Sequence, residues 1–492
     1  MSALNAVTLP QLASRLAIPS YDRSKLRAGI VHFGVGGFHR AHQAMYLDRL
    51  MNAGKALDWA ICGVGVMPSD AAMKKVMADQ DCLYTLVVKN PDGTREARVI
   101  GSIIEYLLAP EDPEAVIEKM ASEQTRIVSL TITEGGYNFH HVTGEFDAAN
   151  PAVAADLAPG GTPSTTFGLV TEAVARRRQR GLPPLTIMSC DNIQGNGDMA
   201  RRMFTAFARL KDPELGEWMD ANISFPNSMV DRITPVTTDE DRASIAQEFG
   251  VEDAWPVVCE DFEQWALEDH FTQGRPPFDE AGVQLVEDVE PYELMKLRLL
   301  NASHQGQCYF GYLAGYRYAH EVCQDPTFAR FLLDYMDREA TPTLQPVPAI
   351  DLDAYKHKLI ARFSNEYVRD TLARLCAESS DRIPKWLVPV IRENLKNDGE
   401  IHRSAAIVAS WARYAEGTDE QGEPIAVVDR LKDSLMAAAA RNREDKLAFI
   451  AQREVFGDLV DNERFVEAYT AALDSLHERG ARATVQELVA GS

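Results

Sequence analysis

Apolar and polar positions along this chain follow two periods, and the change from one to the other falls near residue 285. Before it, short apolar runs recur: GIVHFG at 29–34, WAICGVGVM at 59–67, RIVSLTIT at 126–133 and LTIMSC at 185–190. Near-continuous apolar runs of this length suit strands covered on both faces of a parallel sheet. GVGGFHRAHQAMYLDRLMNAG, following the first run, has helical spacing and predicts a helix ending at Gly54. TLVVKNPDGTREARVIGSI at 85–103 predicts two strands joined at Asn90-Pro91-Asp92-Gly93, a hairpin turn. Strands alternating with helices predict a doubly wound α/β sheet.

Past residue 285 the spacing is helical in YELMKLRLLNASHQGQCYFGYLAGYRYAH, TFARFLLDYMDREA, DAYKHKLIARF, RDTLARLCAES, SAAIVASWARYAEG and DRLKDSLMAAAARNREDKLAFIAQ. The first of these is apolar almost all round, which predicts a buried central helix. The Pro-rich TPTLQPVPAIDL at 341–352 reads as a connector. The pattern thus divides the chain into an α/β domain over 1–285 and a mainly α-helical domain over 286–492.

Composition narrows the classes. With 50 Lys+Arg against 73 Asp+Glu the net charge is −23, which repels phosphate backbones and argues against nucleic-acid binding. No uncharged apolar run reaches the ~18 residues of a membrane span. The N-terminal MSALNAVTLPQLASRLAIPSYDRSK lacks the basic start and apolar core of a signal peptide. The seven cysteines (62, 82, 190, 259, 308, 323 and 376) are scattered and form no C-x-x-C pair. That fits a reducing, cytoplasmic setting and no zinc site. An acidic surface is compatible with a monomer.

Two places carry chemistry. The turn Gly34-Val35-Gly36-Gly37, between strand and helix, is where a pyrophosphate is expected: glycine permits close backbone approach, and the helix start offers free N–H groups. This makes the first domain a Rossmann-type dinucleotide-binding candidate, although G-x-G-x-x-G spacing would place glycine where this chain has His39. Such turns also occur in nucleotide-free units and in methyltransferases. Asp70, beyond the second strand, can accept the ribose hydroxyls and would repel a 2′-phosphate, favouring NAD over NADP. It can equally serve the start of the following AAMKKVM helix.

The second place is KLRLLNASH, where Lys296, Asn301 and His304 lie within nine positions in an apolar segment. At about 100° per residue their side chains fall at roughly 0°, 140° and 80° around a helix, one shared arc. A lysine whose charge is disfavoured by burial is a competent general base. The same three residues can also be read as a snorkelling lysine, a helix-bound asparagine and a satisfied core histidine.

GVGGFHRAHQAMYLD, SLTITEGGY, TIMSCDN, FPNSMVDRITP, and PYELMKLRLLNASH with the downstream YFGYLAGY together resemble the polyol-specific long-chain dehydrogenases, in order, from about residue 20 to beyond 470. The resemblance implies a zinc-free, nicotinamide-dependent interconversion of a secondary alcohol and a ketose, D-mannitol and D-fructose being the lead case. It implies Lys296 as catalytic general acid/base, Asn192 and Asn301 as oxyanion-stabilising amides and His304 as an active-site histidine. Substrate hydroxyl contacts fall to Asp231, Arg374 and Arg382, the last commonly a lysine in relatives. Glu293 and Glu134 are implied as a proton path. The cofactor loop is Gly34, Val35, Gly36, Gly37 and Phe38, with Asp70 at the ribose. A uronate reductase, with the two arginines holding a carboxylate, is the nearest alternative. Arabinitol or sorbitol preference, a non-catalytic NAD-binding regulator and a methyltransferase follow.

Overall fold

In the computed structural model, which describes residues 2–140 and 144–491, the chain forms two compact units, Met1–Glu290 and Pro291–Ser492. The first is built on a five-stranded sheet of β1 (Ala28–Phe33), β2 (Ala60–Gly65), β3 (Ile103–Leu108), β4 (Ile127–Leu130) and β5 (Thr186–Ser189). The spatial order is β3-β2-β1-β4-β5 with every pair parallel. This is the half-sheet order of dinucleotide-binding α/β folds, in which ligands approach the carboxyl ends of the strands.

Each strand sends alternate side chains to opposite faces. Ile30, Ile61, Ile127 and Met188 join one core with the helix Gln43–Asn52. Val31, Phe33, Cys62, Val64, Val128, Leu130 and Ile187 join another with helices Pro113–Ala121, Thr166–Gln179 and Asn196–Lys211. Both faces are covered, which is why the strands read as unbroken apolar runs.

Three expectations are corrected. The helix after β1 is not continuous to Gly54: it breaks at His42 (φ −126°, ψ −97°), giving Gly37–Ala41 and Gln43–Asn52. The His42 ring is anchored there on the Gln264 carbonyl at 3.0 Å. The 84–100 hairpin forms, but in a separate sheet, with Tyr84–Lys89 lying between Arg95–Ile100 and Val257–Glu260. The chain then changes sheets across Gly101 and Ser102, held to Asp48 and to the Ala44 carbonyl, and enters β3. Third, the 126–133 run is a strand only to Leu130, and the chain turns away at Thr133, which adopts φ +62°, ψ 169°.

The second unit is helical. Its buried axis is Ala302–Leu313, packed on Leu372–Cys376 and His402–Tyr414. The longest helix, Glu463–Ala490, kinked at Gly480, was not among the expected segments; it buries Phe465, Tyr469, Leu473 and Leu476. Among the described residues no helix is long and apolar enough to cross a membrane, and all seven cysteines are unpaired and buried.

Candidate active site

The glycine turn leaves β1 at Gly34, whose φ of +90° and tight seat admit no side chain: a Cβ there would lie 2.1 Å from the Thr131 carbonyl oxygen. That seat is pinned from below. The Gly34 carbonyl accepts the Thr131 hydroxyl at 2.6 Å and lies 3.2 Å from His32 Nε2. Gly36 is different, because a Cβ would meet only the Gly34 carbonyl, at 3.9 Å. Space is therefore open where a pyrophosphate would approach, and the first N–H groups of a helix point without intrahelical partners. Val35 is buried, and Phe38 stacks on His42 at 4.8 Å.

The departure at position 39 has a structural explanation. A third glycine normally lets the helix pack closely on the strand. Here the His39 ring, 1% exposed, lies flat on the His32 ring of β1 at 3.4 Å and 9°. Burial pushes His32 down to about 3 and His39 well below its ordinary value, so both stay neutral.

Asp70 closes the turn after β2. One carboxylate oxygen accepts the N–H groups of Val66 and Met67, both at 2.9 Å. Gly65 makes room, since a Cβ there would sit 2.6 Å from Asp70 Cβ. The turn, its open side and this fixed carboxylate suit a nicotinamide dinucleotide. Asn192 is exposed just beyond β5, Asp231 is buried at the end of Ser228–Asp231, and half-buried Glu134 opens the short helix Glu134–Tyr137.

In the second unit, Glu293 is buried on Glu290–Met295. Lys296 and Asn301 begin and end a π-helical segment, Lys296–Asn301, which runs into Ala302–Leu313 with His304. The uniform 100° step expected from sequence is thus corrected: with i→i+5 bonding, residues five apart stand about one turn apart, which draws Lys296 and Asn301 toward one face. Lys296, Asn301 and His304 are 7%, 4% and 9% exposed.

His304 packs on Phe363 at 4.6 Å, and its buried Nε2 has no hydrogen-bond partner among the described residues. Burial, then the charges of Arg374, Arg362, Arg382 and Lys296, push it well below its ordinary value. The imidazole is neutral in a cation-rich setting. Arg374 grips Asp370 through two bonds of 2.7 and 2.6 Å, and Arg382 donates to the Arg374 and Leu375 carbonyls at 3.2 and 3.1 Å. Sequence reasoning did not single out Arg362, in the last turn of Leu352–Phe363, whose charge also depresses His304. Among the described residues no group of three His, Cys, Asp or Glu is arranged to hold a metal ion.

The mannitol dehydrogenase Rossmann-domain model matches residues 28–280, and the mannitol dehydrogenase C-terminal-domain model matches 288–477. The chain belongs to the mannitol dehydrogenase family. A mannitol 2-dehydrogenase of Phaeosphaeria nodorum is 48% identical over 488 residues, 98% of this chain and 85% of that protein. The Pseudomonas fluorescens mannitol 2-dehydrogenase, solved as a ternary complex with NAD and D-mannitol, superposes with a TM-score of 0.91 at 44% identity, covering all of both chains. A substrate-free D-sorbitol dehydrogenase superposes at 0.90 and 36% identity, covering 98% of this chain and all of that one. Family membership makes the chain a polyol oxidoreductase of the two-domain type expected from its pattern.

Proposed function

We propose that this chain is an NAD-dependent mannitol 2-dehydrogenase, interconverting D-mannitol and D-fructose without a metal. The observation that carries the reading is the full-length likeness to a protein solved with NAD and D-mannitol, joined to the buried Lys296, Asn301 and His304 of one helical stretch. Gly34, Val35, Gly36, Gly37 and Phe38 hold the cofactor's pyrophosphate and Asp70 its ribose, where the carboxylate disfavours NADP.

Oxidising the carbinol removes a proton from oxygen and a hydrogen with its electron pair from carbon. Bound NAD supplies the acceptor for the latter. Lys296, in its deprotonated form, takes the proton at Nζ and returns it in the reverse direction. Side-chain amides of Asn192 and Asn301 donate to the oxygen as negative charge develops there, work that a metal ion does in other dehydrogenases. The neutral His304 ring, with its unpartnered Nε2, holds the same oxygen. Glu293 and Glu134 pass the proton onward. Asp231, Arg374 and Arg382 hold the remaining hydroxyls. Seven free buried thiols support a reducing, cytoplasmic setting.

Assaying D-mannitol, D-arabinitol, D-sorbitol and D-mannonate with NAD and NADP tests the proposal. D-Mannitol with NAD is expected to give the highest kcat/KM; a marked preference for mannonate would overturn it in favour of a uronate reductase. Sorbitol is the second reading, favoured by the 0.90 superposition on a D-sorbitol dehydrogenase.

A further inference from the structure

A buried polar network joins the carboxyl ends of β4 and β5 to the start of the strand Ser228–Asp231, and its centre is Asp191. This residue follows β5 and is 6% exposed. One carboxylate oxygen accepts the Thr133 N–H at 2.8 Å; the other accepts the Ile132 N–H at 3.1 Å and the Tyr137 hydroxyl at 2.7 Å. Tyr137 also reaches the Ser189 hydroxyl at 2.6 Å. The Asp191 carbonyl accepts Asn196 Nδ2 at 2.9 Å, and the same amide donates to the Ser228 carbonyl at 2.7 Å while accepting its N–H at 2.9 Å. Ser228 closes the ring by donating to the Ser189 carbonyl at 2.7 Å.

The network clamps a strained bond pair. Thr133, at φ +62° and ψ 169°, occupies a region that is essentially reserved for glycine, and its β-branch makes that harder. Such a backbone persists only where its surroundings over-determine it. Asp191 accepts the N–H of the strained residue itself and that of Ile132 just before it. Burial pushes its carboxyl up to about 6 even with these donors, so the anion is kept in place at a desolvation cost. A neutral polar residue would avoid that cost, but without the same grip on two adjacent donors.

What the clamp carries explains the cost. The residue after Thr133 is Glu134, and the residue after Asp191 is Asn192. We infer that Asp191 is a positioning residue for the reaction: by fixing the strained Ile132–Thr133 backbone against the end of β5, it sets Glu134 and Asn192 together from two different loops. This rests on the proposed roles of those two residues. Asp231, three residues along from Ser228, belongs to the third strand tied into the same ring.

The test compares Asp191→Asn with the parent protein in NAD-dependent mannitol oxidation, the parent's own turnover testing the functional reading and the ratio testing this one. The amide keeps the volume but presents a donor to one N–H. kcat is expected to fall about 10- to 100-fold, as for misplacement of a reacting geometry, with KM for mannitol and the NADH affinity read by fluorescence changed less than about threefold. Adding Thr133→Gly should recover at least about threefold of the loss, because glycine adopts this backbone without the clamp. An unchanged kcat in Asp191→Asn, or a loss that Thr133→Gly does not relieve, would overturn the inference. Should Asp191→Asn not fold, Tyr137→Phe removes one donor and leaves the carboxylate; a kcat lowered about threefold supports the clamp, and one equal to the parent's overturns it.

Discussion

Replacing His39 with glycine would complete the G-x-G-x-x-G spacing, yet it is expected to weaken this protein. The ring is 1% exposed and stacked on His32 at 3.4 Å, so the helix Gly37–Ala41 meets β1 through two stacked imidazoles. Truncating a buried ring leaves a cavity and costs about 3–5 kcal/mol. Glycine inside a helix costs about 1 kcal/mol more than alanine. Against this, both His39 ring nitrogens are buried without partners among the described residues, and removing them returns about 1–3 kcal/mol. The balance is a loss of about 1–5 kcal/mol, centred near ~3, which at ~2 °C per kcal/mol lowers the melting temperature by about 2–10 °C. Thermal melts and urea unfolding of the first unit, followed by tryptophan fluorescence, measure it. His39→Phe separates the contributions: it keeps the ring, deletes the orphaned nitrogens, and should match or exceed the parent's stability. A glycine variant as stable as the parent would show that the ring is not what spaces helix from strand, and the explanation of the motif's departure would fail.

Lys296→Ala should lower kcat by at least ~10²-fold, about 2.7 kcal/mol of barrier, while NADH still enhances fluorescence on binding; near-normal turnover would reject the lysine as base. His304 is held well below its ordinary value when folded, so below ~pH 6.5 the unfolded chain takes up a proton that the folded one refuses. The stability of the parent relative to His304→Gln should therefore fall by about 1.4 kcal/mol per pH unit as pH drops below ~6.5, and urea midpoints at pH 7.5, 6 and 5 that move in parallel would contradict a buried neutral imidazole. Gly34→Ala forces a Cβ to within 2.1 Å of the Thr131 carbonyl at a φ of +90°, so it should cost at least ~2 kcal/mol and abolish NADH binding. Normal NADH affinity in that variant would remove the turn from the cofactor site.

The sequence alone determined the layered α/β unit and the helical one, because strands buried on both faces must be apolar throughout and helices must show a stripe. It also exposed Lys296, Asn301 and His304, since polar groups in an apolar helix are costly enough to need a reason. Asn192, Asp231, Arg374 and Arg382 looked ordinary by composition and spacing, and only resemblance singled them out. Tertiary structure decided the rest. The hairpin's turn was written locally, but its sheet was set by pairing with Val257–Glu260, far along the chain. The π-helical step at Lys296–Asn301 leaves no mark in a hydrophobic period. His39 could replace a glycine only because His32, seven residues earlier, offers a flat face across the strand–helix contact. Asp191 gained its place from two N–H groups nearly 60 residues upstream, and backbone donors have no letter in the sequence.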